Sequence, residues 1–215
     1  SPPRPARLAD AHLLDLAGSL ADPEWSAVVS SIAGDADPLA ALHAATTLIR
    51  CLSAPTPSRR QERAKNRINV SLPWLLRTAP GRYAVPLTLL APTRYTKAIT
   101  DLISAREMPL ETVRQLDSLV LSVGFTPSRA AIAAAAAERL VAAARPGADP
   151  QPAELSEYAR CLNNLGIRLS ALGRTEDALA PAEDAVLAAA DSDLGEIVVD
   201  GEGMTVYVFD KDTPG

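Results

Sequence analysis

The chain has 215 residues, a hydrophobic fraction of 47%, only 4% aromatics and a formal net charge of −5. That length can bury a real core, while the acidic balance argues against the basic face that phosphate backbones favour. Much of the apolar fraction is alanine and leucine, which suits closely stacked helices better than a sandwich or barrel filled with β-branched residues.

In chain order, Leu8, His12, Leu13, Leu16 and Leu20 fall at helical spacing and predict a helix to about Ala21. Asp22-Pro23 is a start signal, Asp22 as N-cap, for a second helix with Trp25, Val28, Val29 and Ile32 as its apolar face. Asp37-Pro38 repeats the device before Leu39, Leu42, Leu48, Ile49 and Leu52. Ser58 is expected to cap a basic helix that Pro73 interrupts before Trp74. Its run Arg59, Arg60, Arg63, Lys65 and Arg67 reads first as a solvated helix face and second as a contact for an acidic partner or nucleic acid. Residues 79–93, broken by Pro80, Pro86 and Pro92, fit either a short helix or an irregular connection.

Further helices are expected from Tyr95 to about Ala105, and from Pro109 to a stop at Gly124. Thr126-Pro127 opens an alanine-rich helix through Ala144, and Asp149-Pro150-Gln151-Pro152 makes a linker. The expected organisation is an N-terminal helical array over 1–147, a helical hairpin over 153–190 and a tail over 191–215.

The hairpin carries the strongest pattern. Leu155, Leu162, Leu165, Leu169 and Leu172 form one stripe, and Gly166 stands where a second helix must come close. Gly173-Arg174 makes the turn, and Ala178, Ala182 and Ala185 give the second helix a small-residue face. In order and spacing this segment resembles a tetratricopeptide repeat, most closely the kind found in large actinobacterial multi-repeat proteins. It departs from the family pattern in having Ala182 for an aromatic and Pro181 inside the second helix. The resemblance implies an all-α helical-repeat (α-solenoid) array whose concave surface binds a peptide or partner protein, as a scaffold or signalling module. Tyr158, Asn163, Asn164, Ile167 and Arg168 are the groove residues it suggests. Asn amides can bond an extended backbone and Arg168 can pair with a carboxylate.

After Ala190 the composition turns β-branched and aromatic, with Gly201-Glu202-Gly203 between two apolar runs, a hairpin signal. Tyr207, Phe209 and Asp212 fit the Tyr-x-aromatic-x-x-Asp motif of a secreted lipoprotein repeat, which this tail resembles over about 20 residues. An isolated hairpin is marginal in water, so the tail packs on its own helical body, adds to a sheet edge of another chain or a second copy, or is a grafted segment; Val199, Thr205, Tyr207, Phe209 and Asp212 are the candidates for such pairing.

No P-loop, Gly-x-Ser-x-Gly or His-Glu-x-x-His motif occurs, so no enzyme, cofactor or metal is expected. Cys51, beside Arg50, could have a lowered pKa, but with no base near it in sequence it reads first as inert, while Cys161 reads as a small buried hydrophobe. No apolar run reaches the ~18 residues of a membrane span. Ser1-Pro2-Pro3-Arg4-Pro5 lacks a signal peptide's apolar core. A cytoplasmic partner-binding scaffold is therefore the first expectation. The alternative is an envelope assembly protein, outside the cytoplasm after loss of a leader, whose β tail pairs with a partner.

Overall fold

A computed structural model describes residues 5–35, 37–56, 58–123, 126–148, 150–190, 197–199 and 205–207. Within them the chain is helical apart from two three-residue strands. Chain contacts divide it into two compact units, Ser1–Thr112 and Val113–Gly215.

The first unit holds α1 (Pro5–Ser19), α2 (Asp22–Gly34), α3 (Pro38–Ser53), α4 (Arg59–Thr78), α5 (Pro80–Leu90) and α6 (Pro92–Ser104). Central among them is α4, which touches all five others. Its Ile68, Leu72, Leu75 and Leu76 are buried, with Leu14, Tyr83, Leu87, Ile99 and Ile103 among the side chains completing the core. Asp37 caps α3, its carboxylate accepting from the Leu39 N–H at 2.9 Å. Ser58 caps α4, its hydroxyl accepting from the Gln61 N–H at 3.3 Å.

Two sequence expectations change here, and one open alternative is decided. Asp22 is not the N-cap of α2: Ala21 holds that position, its N–H donating to the Glu24 carboxylate at 2.6 Å. The Asp22 carboxylate turns instead to Arg63 and Arg67. Pro73 does not interrupt α4, which runs unbroken to Thr78. The missing N–H costs one hydrogen bond, and the buried Leu72, Leu75 and Leu76 on either side hold the helix to the core. Residues 79–93 are no irregular connection, because Pro80 and Pro92 each stand at the first position of a helix, where the absent N–H is harmless.

Three basic residues of this unit, Lys65, Arg67 and Arg82, close helix ends. Helix C-termini leave carbonyls without intrahelical partners and carry partial negative charge, which cations satisfy. The Arg67 guanidinium donates to the Ala17 and Leu20 carbonyls, both at 2.9 Å, at the end of α1. Arg82 donates to the Ala33 carbonyl at 2.7 Å and to that of Asp35, at the end of α2. Lys65 donates to the Ala54 carbonyl just after α3. Two members of the basic run are therefore internal fasteners. Gly18 permits the α1–α4 crossing, where a Cβ would stand 2.1 Å from the Arg60 carbonyl oxygen.

In the second unit lie most of α7 (Leu110–Val123), with α8 (Pro127–Ala144), α9 (Pro152–Ala171) and α10 (Thr175–Ala190). Thr126 caps α8, accepting from the Arg129 N–H at 3.3 Å. Helix α9 packs on both α8 and α10, joining Ala134, Ala137, Leu165, Leu169 and Ala178 in one core with Val141 and Leu172 at its margin. A Cβ on Gly166 would lie 3.4 Å from the Ala178 carbonyl oxygen, so α9 and α10 meet almost backbone to backbone. Gly173 ends α9 with φ of +74°, the left-handed geometry that glycine adopts without strain.

Strands β1 (Ile197–Val199) and β2 (Thr205–Tyr207) pair antiparallel, Ile197 opposite Tyr207, Val198 opposite Val206 and Val199 opposite Thr205. The expected turn at Gly201-Glu202-Gly203 lies outside the described residues.

Candidate binding groove

An open groove of about 930 Å³ lies between α2 and α4 in the first unit. From α2 it takes Asp22, Trp25, Ser26, Val29 and Ser30, which recur at three- and four-residue intervals and so share one face. From α4 it takes a matching face that changes character along the helix. Arg59, Glu62, Arg63 and Arg67 lie at the N-terminal end, and Val70, Ser71 and Trp74 at the other.

Three polar contacts hold the walls in place. The Trp25 indole N–H donates to the Ser71 hydroxyl at 3.0 Å. At the charged end Asp22 accepts from Arg63 at 3.1 Å and also from Arg67. The Arg67 hydrogen bond, seconded by that of Arg63, keeps the Asp22 carboxyl below the usual aspartate range. Away from the charged end the groove offers exposed apolar surface: Val70 is 74% exposed and Trp74 38%. Val29 is the one residue of α2 that is buried, so this helix packs loosely and leaves most of its inner face accessible.

The chain contains two tryptophans, and both line this groove. Sequence reasoning placed Trp25 on an apolar helix face and Arg59–Arg67 on a solvated one, without joining them. The available signal was that each tryptophan falls in helical phase with charged residues, as an amphipathic groove wall requires and a core position does not.

The residues predicted to line a repeat groove all lie on α9 and separate into two kinds. Tyr158, Asn163 and Asn164 are half-buried, and Ile167 is exposed. Arg168 is only 3% exposed, and its guanidinium donates to the Asp117 carboxylate at 3.0 Å and to the Asp117 backbone carbonyl at 3.2 Å. Arg168 therefore fastens α9 to α7 and is not free to take a ligand's carboxylate, which corrects its expected role. Of the predicted tail-pairing residues, Val199, Thr205 and Tyr207 lie in the two strands, while Phe209 and Asp212 lie outside the described residues.

At Cys51 the thiol is shifted away from reactivity, not toward it. Burial is the main cause raising its thiol pKa and Asp10 adds to it, overcoming Arg50 and Lys65. Cys161, likewise buried, is pushed up by burial and by Glu157. Among the described residues, no three His, Cys, Asp or Glu side chains gather as a metal site, and no helix is long and apolar enough to cross a membrane.

Residues 188–215 match a family described as a secreted repeat of unknown function. The match agrees with the motif read from Tyr207, Phe209 and Asp212 and is confined to the C-terminal segment. No curated protein and no solved structure matches the chain.

Proposed function

We propose that this chain is a protein-binding helical scaffold, and that the α2–α4 groove is where a helical segment of a partner protein docks. The observation that carries this reading is exposed apolar surface on two facing walls that each bear a tryptophan. Val70 and Trp74 stand exposed beside Trp25 and Val29 in a groove of about 930 Å³. Amphipathic helices seat their apolar faces in grooves of this kind, and tryptophan and arginine are favoured anchors there. Val70→Glu places a carboxylate in the groove at an exposed position without touching the core. Binding of a fluorescently labelled amphipathic helical peptide, followed by anisotropy, is expected to weaken at least about tenfold in this variant. Undiminished binding would remove the groove from consideration.

The segment α9–α10 we read as one tetratricopeptide-type repeat in an α-solenoid. Support comes from the close approach at Gly166, the left-handed turn at Gly173 and the packing of α9 between α8 and α10. In that reading Asn163 and Ile167, one turn apart on α9, mark a second face for peptide contact.

A second reading takes the match of residues 188–215 to a secreted repeat as the mark of an extracytoplasmic protein whose tail pairs with a β-structured partner or a second copy. Deleting residues 191–215 would then change oligomeric state or partner binding, as read by light scattering. An unchanged particle mass and unchanged binding would reject it.

A further inference from the structure

Resting on the groove reading above, we propose that the α2–α4 groove selects an acidic amphipathic helix, with the helix's acids at the Arg59 end and its apolar residues at the Trp74 end.

The dimensions suit a helix. Arg59 and Trp74 are fifteen positions apart on α4, which at ~1.5 Å per residue spans about 22 Å, or four turns of an occupant. The groove's chemistry is graded along that length. At one end Trp25, Val29, Val70 and Trp74 offer apolar contact; at the other stand Arg59, Arg63 and Arg67 against Asp22 and Glu62.

Charge bookkeeping within the groove decides the sign of the occupant. Asp22 is held by Arg63 and Arg67 together. That leaves Arg59 and Glu62, three positions apart on α4. Arg59 makes no ion pair among the described residues. It is exposed, so its guanidinium group is available to incoming carboxylates. The sequence of the first unit reinforces this: residues 1–112 carry 13 Lys and Arg against 10 Asp and Glu, a surplus of +3, whereas residues 113–215 carry 8 against 16, or −8. The positive surplus of the chain lies in the sequence that forms the groove. Nucleic acid is the poorer match, because Asp22 and Glu62 line the same channel and two of its three arginines are engaged by Asp22.

The experiment uses the full chain and two capped, alanine-based peptides of about 16 residues. Both carry the same leucine face; one has glutamates beside it and the other lysines. The glutamate peptide is expected to bind about tenfold more tightly at low salt, with the ratio collapsing near ~0.5 M salt. Arg59→Glu should bring the ratio close to one. That substitution puts an acid in the first turn of α4, where it suits the helix, so the variant folds. Equal affinity for both peptides, or a ratio that Arg59→Glu leaves unchanged, overturns the acidic selection. Loss of both peptides in Val70→Glu would still uphold the groove in that case. Binding of neither peptide sinks selection and groove together. Displacement of the glutamate peptide by an oligothymidylate would overturn the proposal in favour of a nucleic-acid channel.

Discussion

Arg67 does three things at once, ending α1 through two carbonyls and tying the first residue of α2 to α4 through Asp22. Its side chain is nearly buried, so Arg67→Ala is expected to lower stability by about 2–3 kcal/mol in urea unfolding, whereas Arg59→Ala, at an exposed and unpaired position, should leave it unchanged. Asp22 shows the pH consequence. Its pKa is depressed in the folded state, chiefly by Arg67. Its contribution is therefore present above the unfolded aspartate value of about 3.9 and is lost as pH falls through the lower folded value. Asp22→Asn should flatten the acid limb of the stability profile below about pH 4 and be felt at neutral pH as a constant loss. Arg168 and Asp117 form the other decisive pair. Arg168→Ala leaves a carboxylate buried without its partner, at a cost of about 3–5 kcal/mol, and the double variant Arg168→Ala/Asp117→Ala should recover part of that. The two buried thiols, both with raised pKa values, are expected to resist alkylation in native protein at pH 8 and to react on unfolding.

At the scale of helices, packing distances separate two glycines that look equivalent in sequence. Gly18 lies against the Arg60 carbonyl, where an added Cβ would overlap the backbone of α4; nothing lies within 4 Å of the Cβ that Gly34 would acquire. Gly18→Ala should therefore destabilise by more than about 1 kcal/mol despite its better helix propensity, and Gly34→Ala should stabilise by a few tenths to about 1 kcal/mol; thermal unfolding of the two variants checks the opposite signs. The same elements show what was legible beforehand. Helix starts at Pro38, Arg59 and Pro127 were readable because Asp37, Ser58 and Thr126 are capping residues that act locally. The course of α4 past Pro73 was not, because its continuity depends on the burial of Leu72, Leu75 and Leu76 against helices distant in sequence. Asp22 misled for a related reason: its local capping role lost to two arginines more than forty residues away.

For the molecule as a whole, the sequence drew attention to α9 and the tail, where a periodic signature and a composition break are conspicuous. The groove lies elsewhere because no local motif marks it. It exists only when α2 and α4, separated by a third helix, bring Trp25 and Trp74 to one channel. Arg168 illustrates the converse, a residue in the conspicuously periodic segment whose charge faces inward to Asp117. The opposite charge surpluses of residues 1–112 and 113–215 predict that partner association is accelerated by acidic segments and slows with rising salt. Docking in the α2–α4 groove would be reported without any label by the two tryptophans of the chain, since both line it. The measurement is tryptophan emission during titration with the glutamate peptide, run beside peptide anisotropy. A blue shift that saturates at the same peptide concentration as the anisotropy is the predicted result; saturable anisotropy with unchanged tryptophan emission would place binding outside the α2–α4 groove.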